Sequence, residues 1–252
     1  MKIHFHASEN PRPQAALQEL SGRYENHPTD EADVIVVLGG DGAMLRALHH
    51  FTDVDLPLFG LNLGTLGFLL NEYKNSDLYA RIEKANPFEI HPLRMQVQDV
   101  KGKQHEALAY NEVSLLRETH SSAKIMVFVN DEVRLPLLVC DGVMVSTPVG
   151  STAYNSSADG PILPLSANVM PITPISAFRP RRWPGALIPN TAQVRFEIIK
   201  PKERPVSASA DALEIRDIAS VDISVAQDVT AKLLFDPENH LEERIYQEQF
   251  AP

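Results

Sequence analysis

One carboxylate in this chain occupies an unusual place: Asp41, inside the glycine turn Gly39-Gly40-Asp41-Gly42. The turn follows an apolar run over residues 34–38 and precedes a helix-forming run over 43–50. Glycines without Cβ atoms let a ligand approach the backbone closely. Unpaired N–H groups at a helix start can then hold phosphate oxygens. An anion beside phosphate is repulsive unless it binds a hydroxyl about to attack that phosphate, or a magnesium ion that offsets its charge. Two plainer roles remain open for the same residues, a helix N-cap and a simple turn. Arg46 lies one helical turn further on and is either a phosphate contact or a solvent-facing helix residue.

A second group of reactive side chains lies over residues 141–164. The run 143–145 reads as a strand that opens into a loop with six Ser or Thr residues between positions 146 and 157. Hydroxyls and fresh backbone donors suit the riboses, amide and phosphates of a nucleotide. Ser151 or Thr152 could equally cap a helix beginning near Ala153. No Gly-x-Ser-x-Gly elbow surrounds Ser151, which argues against a hydrolase nucleophile. Asn111-Glu112 interrupts an otherwise apolar stretch over 107–116, so the pair either faces water at a sheet edge or lines a pocket. The single cysteine, Cys140, is expected to be a buried structural thiol.

These groups need a frame. Residues 2–7 read as a strand, and Pro11 and Pro13 open a helix running to about residue 26. The apolar run 34–38 suits a buried parallel strand, and residues 57–61 a third strand. A glycine-punctuated loop follows over 60–69, then a helix over 76–86. This alternation predicts a small α/β domain, Rossmann-like with a parallel sheet. From residue 88 helical periodicity fades. Alternating segments at 88–100, 106–117, 124–129, 132–138, 194–199, 212–216 and 221–225 predict a β-rich domain. Asp236-Pro237 then suits a helix start. Leu241 with Ile245, and Tyr246 with Phe250, give a short tail helix expected to pack on the first domain. The expected domains are therefore 1–87 with 236–252, and 88–235.

Composition narrows the function. A net charge of −10 opposes general nucleic-acid binding, so an anionic substrate must be held by local donors or by metal. No apolar run approaches the about 20 residues needed to span a bilayer, and no secretory h-region is evident near residue 1. One cysteine fits a reducing cytoplasm. The dense basic segment at 178–183, with three arginines between Phe178 and Trp183, suits a subunit contact or a surface loop.

Taken in order, the turn 39–42, the loop 60–69, the pair 111–112 and the block 141–164 resemble the signature of bacterial NAD kinases. The block is the most specific part; the glycine turn alone is shared with lipid kinases and phosphofructokinase relatives. The resemblance implies transfer of the γ-phosphate of ATP, or of polyphosphate, to the 2′-hydroxyl of the adenosine ribose of NAD. It makes Asp41 the general base or hydroxyl-orienting group, and Gly39, Gly40 and Gly42 the phosphate-facing turn, with Arg46 and Phe68 beside them. It places Asn111 and Glu112 on the ribose and adenine, and Asp141 near the nicotinamide end. Thr152, Ala153, Tyr154, Asn155, Ser156 and Ser157 would line the NAD pocket. The resemblance implies a divalent metal, Mg2+ arriving with ATP, and a homo-oligomer, dimer or tetramer. Val149, Asp159 and Leu213 depart from the family's usual threonine, glycine and glutamine. Two other readings compete: a lipid or sugar kinase using the same turn, and an NAD-sensing module without catalysis.

Overall fold

The structure, a computed structural model, describes residues 1–64, 67–238, 245 and 249–250. In chain order the first elements are β1 (Ile3–Ala7), α1 (Pro11–Ser21), β2 (Val34–Gly39), α2 (Asp41–His50), β3 (Leu58–Asn62), β4 (Asn71–Glu72), α3 (Leu78–Lys84) and β5 (Asn86–Ile90). Next come β6 (Leu93–Asp99), β7 (Gln104–Ala109), β8 (Glu112–Arg117), β9 (Ala123–Val129), β10 (Glu132–Cys140) and β11 (Gly142–Ser146). A 3-10 turn (Val149–Thr152) and the short α4 (Tyr154–Ser157) lead to β12 (Val169–Ile175), β13 (Ala186–Pro189) and β14 (Val194–Ile198). Then follow β15 (Val206–Ala210), β16 (Leu213–Ile215), β17 (Ile218–Val225) and β18 (Ala231–Phe235).

The chain forms two compact units. One takes residues 1–91 and the segment from Asp228 that carries β18; the other takes residues 92–227 together with Ile245 and the residues after it. In the first unit β1, β2, β3 and β18 lie side by side in parallel, β5 joins β18 antiparallel, and β4 pairs with β3. All six residues of β2 are buried, as a strand covered on both faces requires. Ile3, Phe5, Val36, Leu38, Phe59 and Leu61 pack with Leu20 of α1 and Leu78 of α3. On the opposite side of β3, Met44 of α2 presses against Gly60. Helices thus cover both faces.

The second unit holds two six-stranded antiparallel sheets, in the orders β10-β9-β14-β17-β6-β7 and β13-β12-β11-β8-β15-β16. Their inner faces share one core, from Leu93, Met95 and Val97 in one sheet to Val113, Leu115, Val143 and Val145 in the other. The mixed α/β sheet followed by antiparallel sheets matches the expected fold class.

Three details differ from the sequence expectations. The stretch 88–100 is two strands, and β5 and β6 belong to different units. The stretch 106–117 is also two strands in different sheets, and Asn111 sits in the break between them rather than inside a strand. No Ser or Thr caps the helix near residue 153: its N-cap is Ala153, without a side-chain bond, and Ser151 turns inward instead. The expected tail helix falls largely on residues outside the described ones. Of those described, Ile245 is buried and Gln249 donates to the Ile162 carbonyl.

Candidate functional site

The glycine turn joins β2 to α2. Gly40 is the N-cap in an extended conformation, with no side-chain cap bond, and Asp41 is the first helical residue. Gly39 is required by packing, because a Cβ there would sit 2.4 Å from the Cβ of Ala43. The Asp41 carboxylate accepts N–H bonds from Phe68 and Leu69, both at 2.9 Å. These two bonds fix its orientation and tie the loop around residue 68 to the start of α2. Each carboxylate oxygen keeps a further lone pair for a donor from a ligand. Arg46 is exposed, and its Nη1 would lie 3.7 Å from a Cβ on Gly42, so its head group folds back along the turn. Asp41, Gly39, Gly40, Gly42, Arg46 and Phe68 are thus neighbours in the first unit.

In the second unit the break between β7 and β8 is held by three groups of bonds. Asp211 accepts the N–H groups of Tyr110, Asn111 and Glu112, at 2.8, 3.0 and 3.2 Å. Thr147 Oγ1 donates to the Tyr110 carbonyl at 2.7 Å, and the Thr147 N–H to the Asn111 carbonyl at 2.9 Å. Gly150 packs so closely that a Cβ would lie 2.2 Å from the Asn111 oxygen. The Ser/Thr-rich loop is thereby pressed against Asn111-Glu112.

Glu112 carries the sharpest polar anomaly of this unit. Its Oε2 is buried with no hydrogen-bond partner. Burial first, and the nearby charge of Asp211 second, push its carboxyl from 4.5 up to about 7. A buried acceptor without a donor is costly, which marks a place for a ligand donor. Burial also raises the Tyr154 hydroxyl, and the charge of Glu112 adds to that shift, which puts the two side chains within electrostatic reach. Among the described residues, the hydroxyls of Thr152, Tyr154, Ser156 and Ser157 have no protein partner, so they remain available.

Two expected site residues are corrected. Asn155 is fully buried: its Nδ2 donates to the Ser151 and Pro161 carbonyls, and its Oδ1 accepts from Thr173 at 2.6 Å. Its side chain shapes the loop rather than touching a ligand. Asp141 is not beside Glu112 in the same protomer. The register pairs Gly142 with Leu116 and Ser146 with Glu112, so four residues, about 13 Å of strand, intervene. Asp141 is instead paired with Arg117 at the far end, in an open cavity of about 490 Å³ that also includes Glu118 and His120. Sequence reasoning missed Asp211 and Thr147 as holders of the Asn111-Glu112 backbone. The only available signal was that a polar break between two strands needs acceptors for its N–H groups.

Family models for the ATP-NAD kinase N-terminal and C-terminal domains match residues 2–90 and 110–225. The chain belongs to the NAD kinase family. An NAD kinase from Hyphomonas neptunium is 51% identical over 251 residues, covering 100% of this chain and 98% of that protein. NAD kinases from Rhizorhabdus wittichii (52%, 97% and 96% covered) and Zymomonas mobilis (50%, 97% and 95%) are equally similar. Among solved structures, the yeast NADH kinase complexed with NADH gives a TM-score of 0.84 at 20% identity, covering 98% of this chain and 86% of that one. The Archaeoglobus fulgidus NAD kinase in complex with ATP gives 0.79 at 21%, covering 99% and 98%. At these identities the two structures speak to fold. The family membership makes the chain a phosphotransferase and removes the ground for a lipid-kinase reading.

Proposed function

We propose that this chain phosphorylates NAD to NADP, using ATP or polyphosphate as donor and the 2′-hydroxyl of the adenosine ribose as acceptor. The observation that carries the reading is Asp41: a carboxylate at a helix start beside three glycines, fixed by two backbone N–H groups. Phosphoryl transfer passes through a loose transition state, so placement and charge matter more than early proton removal. Asp41 aligns the hydroxyl and accepts its proton late. The donors of the glycine turn and the first turn of α2 hold phosphoryl oxygens, and Arg46 adds a cation. The unpartnered oxygen of Glu112 accepts from a ribose hydroxyl. Asn111 and the loop at Thr152, Ala153, Tyr154, Ser156 and Ser157 shape the rest of the NAD pocket.

Among the described residues no cluster of three or more His, Cys, Asp or Glu could hold a metal ion. A protein-built magnesium site therefore does not fit, and Mg2+ is proposed to enter with the nucleotide, where it would offset phosphate charge. Cys140 takes no part: burial pushes its thiol up to about 12, far from a thiolate. No helix among the described residues is long and apolar enough to cross a membrane, and we place the enzyme in the cytoplasm. A homo-oligomer is proposed as well, with exposed Phe178 and its neighbouring arginines as one contact.

The deciding experiment incubates purified protein with ATP, Mg2+ and NAD. NADP should accumulate, and a lipid acceptor should neither react nor compete. Absence of NADP with both ATP and polyphosphate would remove the reading.

A further inference from the structure

We propose that Ser8 and Arg12, with the starts of α1 and α2, form a subsite for the terminal phosphates of the phosphoryl donor. The proposal rests on the kinase reading above and assigns a place and side chains to the donor. Parallel strands β1 and β2 end together, with Ala7 opposite Leu38, and each runs into a helix. Both helix starts therefore open on one cavity of about 290 Å³, lined by Ser8, Asn10, Arg12, Gly39, Gly40 and Gly64 among others. Two dipoles aimed at one volume favour an anion there.

Helix starts alone would not make a site, and Ser8 supplies the independent observation. It is 9% exposed, and its buried Oγ has no hydrogen-bond partner. That Oγ lies 3.5 Å from where a Cβ on Gly39 would be, so it stands next to the glycine turn. A buried hydroxyl left without a partner is costly, and an acceptor oxygen entering the cavity would offset that cost. Arg12 adds charge. It is exposed and makes no ion pair with a described residue, in a chain whose net charge is −10. Asn10, at the N-cap of α1, makes no side-chain cap bond either. Pro11 and Pro13 remove two backbone donors from the first turn of α1. An anion there consequently relies on the side chains of Asn10 and Arg12. This donor set, in a volume of this size, fits a short stretch of linked phosphates: the β- and γ-phosphates of a nucleoside triphosphate, or the end of a polyphosphate chain.

The test compares wild type with Arg12→Gln, Arg12→Lys and Ser8→Ala. KM is measured for ATP and, in a separate arm, for polyphosphate at saturating NAD. Calorimetry measures binding of inorganic tripolyphosphate and of NAD. Arg12→Gln and Ser8→Ala should each raise the donor KM about tenfold, the usual scale for a charged hydrogen bond. Tripolyphosphate binding should weaken by a similar factor and NAD affinity should stay put. Arg12→Lys should recover most of the loss, and the melting temperature of the Arg12 variants should not move. A KM rise in only one arm identifies the donor the subsite serves. Unchanged donor KM and tripolyphosphate binding in both variants would overturn the subsite, as would a change confined to NAD affinity. If wild type makes no NADP yet loses tripolyphosphate binding on Arg12→Gln, the subsite stands and the kinase reading falls.

Discussion

A carboxylate held by two backbone N–H groups has one orientation open to it, and Asp41 is in that position. Asp41→Asn keeps the shape but leaves one acceptor oxygen, so one of the bonds to Phe68 or Leu69 is lost together with the proton acceptor. Turnover should fall by about 10² or more, the usual scale for such groups, while the NAD dissociation constant stays within a few-fold. Single-turnover kinetics and calorimetry on the same preparation check both; unchanged turnover would deprive Asp41 of its role. Glu112 makes a second, pH-dependent case. Its carboxyl rises from 4.5 in the unfolded chain to about 7 when folded. Between those values the folded state keeps a proton that the unfolded state has released. Stability therefore falls as pH rises from about 4.5 to about 7 and stays reduced above. A ribose hydroxyl donating to the ionised form reverses the preference on binding, so NAD affinity should increase as pH rises through that window. Glu112→Gln should flatten both profiles, and a slope that survives the substitution would show that another group titrates.

Elements place these side chains, and one carboxylate does much of the work in the second unit. Asp211, between β15 and β16, accepts three successive N–H groups from the break where the chain leaves β7 for β8. Asp211→Asn leaves at least one of those groups without its acceptor, at about 1–3 kcal/mol for a buried donor. Urea unfolding should show that loss, and the KM for NAD should rise while the KM for ATP does not. Equal rises in both would mean a general loosening instead. How legible each element was follows from its chemistry. The hairpin of β9 and β10 was plain because Asn130 and Asp131, both at positive φ, announce a tight turn between alternating strands. The glycine turn was plain because an apolar parallel strand precedes it. Strand β12 was hidden, since Pro171 and Pro174 argue against a strand, yet both residues sit in ladder positions, opposite Leu187 and Val143. Strand β15, Val-Ser-Ala-Ser-Ala, was hidden by small residues that carry no alternation. Glu112 was recognised as costly if buried. The clamp that buries it could not be, because Asp211 is about 100 residues distant in the chain.

At the scale of the whole molecule, the decisive fact is that the first sheet is completed by the end of the chain. Strand β18 sits between β3 and β5, so residues 1–91 by themselves lack an interior strand. The sequence alone gave the last strand to the β-rich region, because a five-residue segment does not declare its sheet. Leu233, at 1% exposure, shows how far β18 is buried in the first unit. The two crossings between the units lie close together: Ala231 pairs with Ile90 in the antiparallel β5–β18 ladder. Replacing residues 92–227 with a short Gly-Asn turn should therefore close a hairpin between β5 and β18 and leave a first unit that folds independently. It should unfold cooperatively in urea and give dispersed amide resonances. A chain ending at residue 227 leaves that sheet open at its interior, and its first unit should be unfolded by the same measures. Leu233→Asp in the excised form serves as the control, since a charge at that buried position has no partner and should abolish the transition. A folded first unit in the 227 truncation would show that β18 is an accessory strand and that the sheet of β1, β2 and β3 sustains itself.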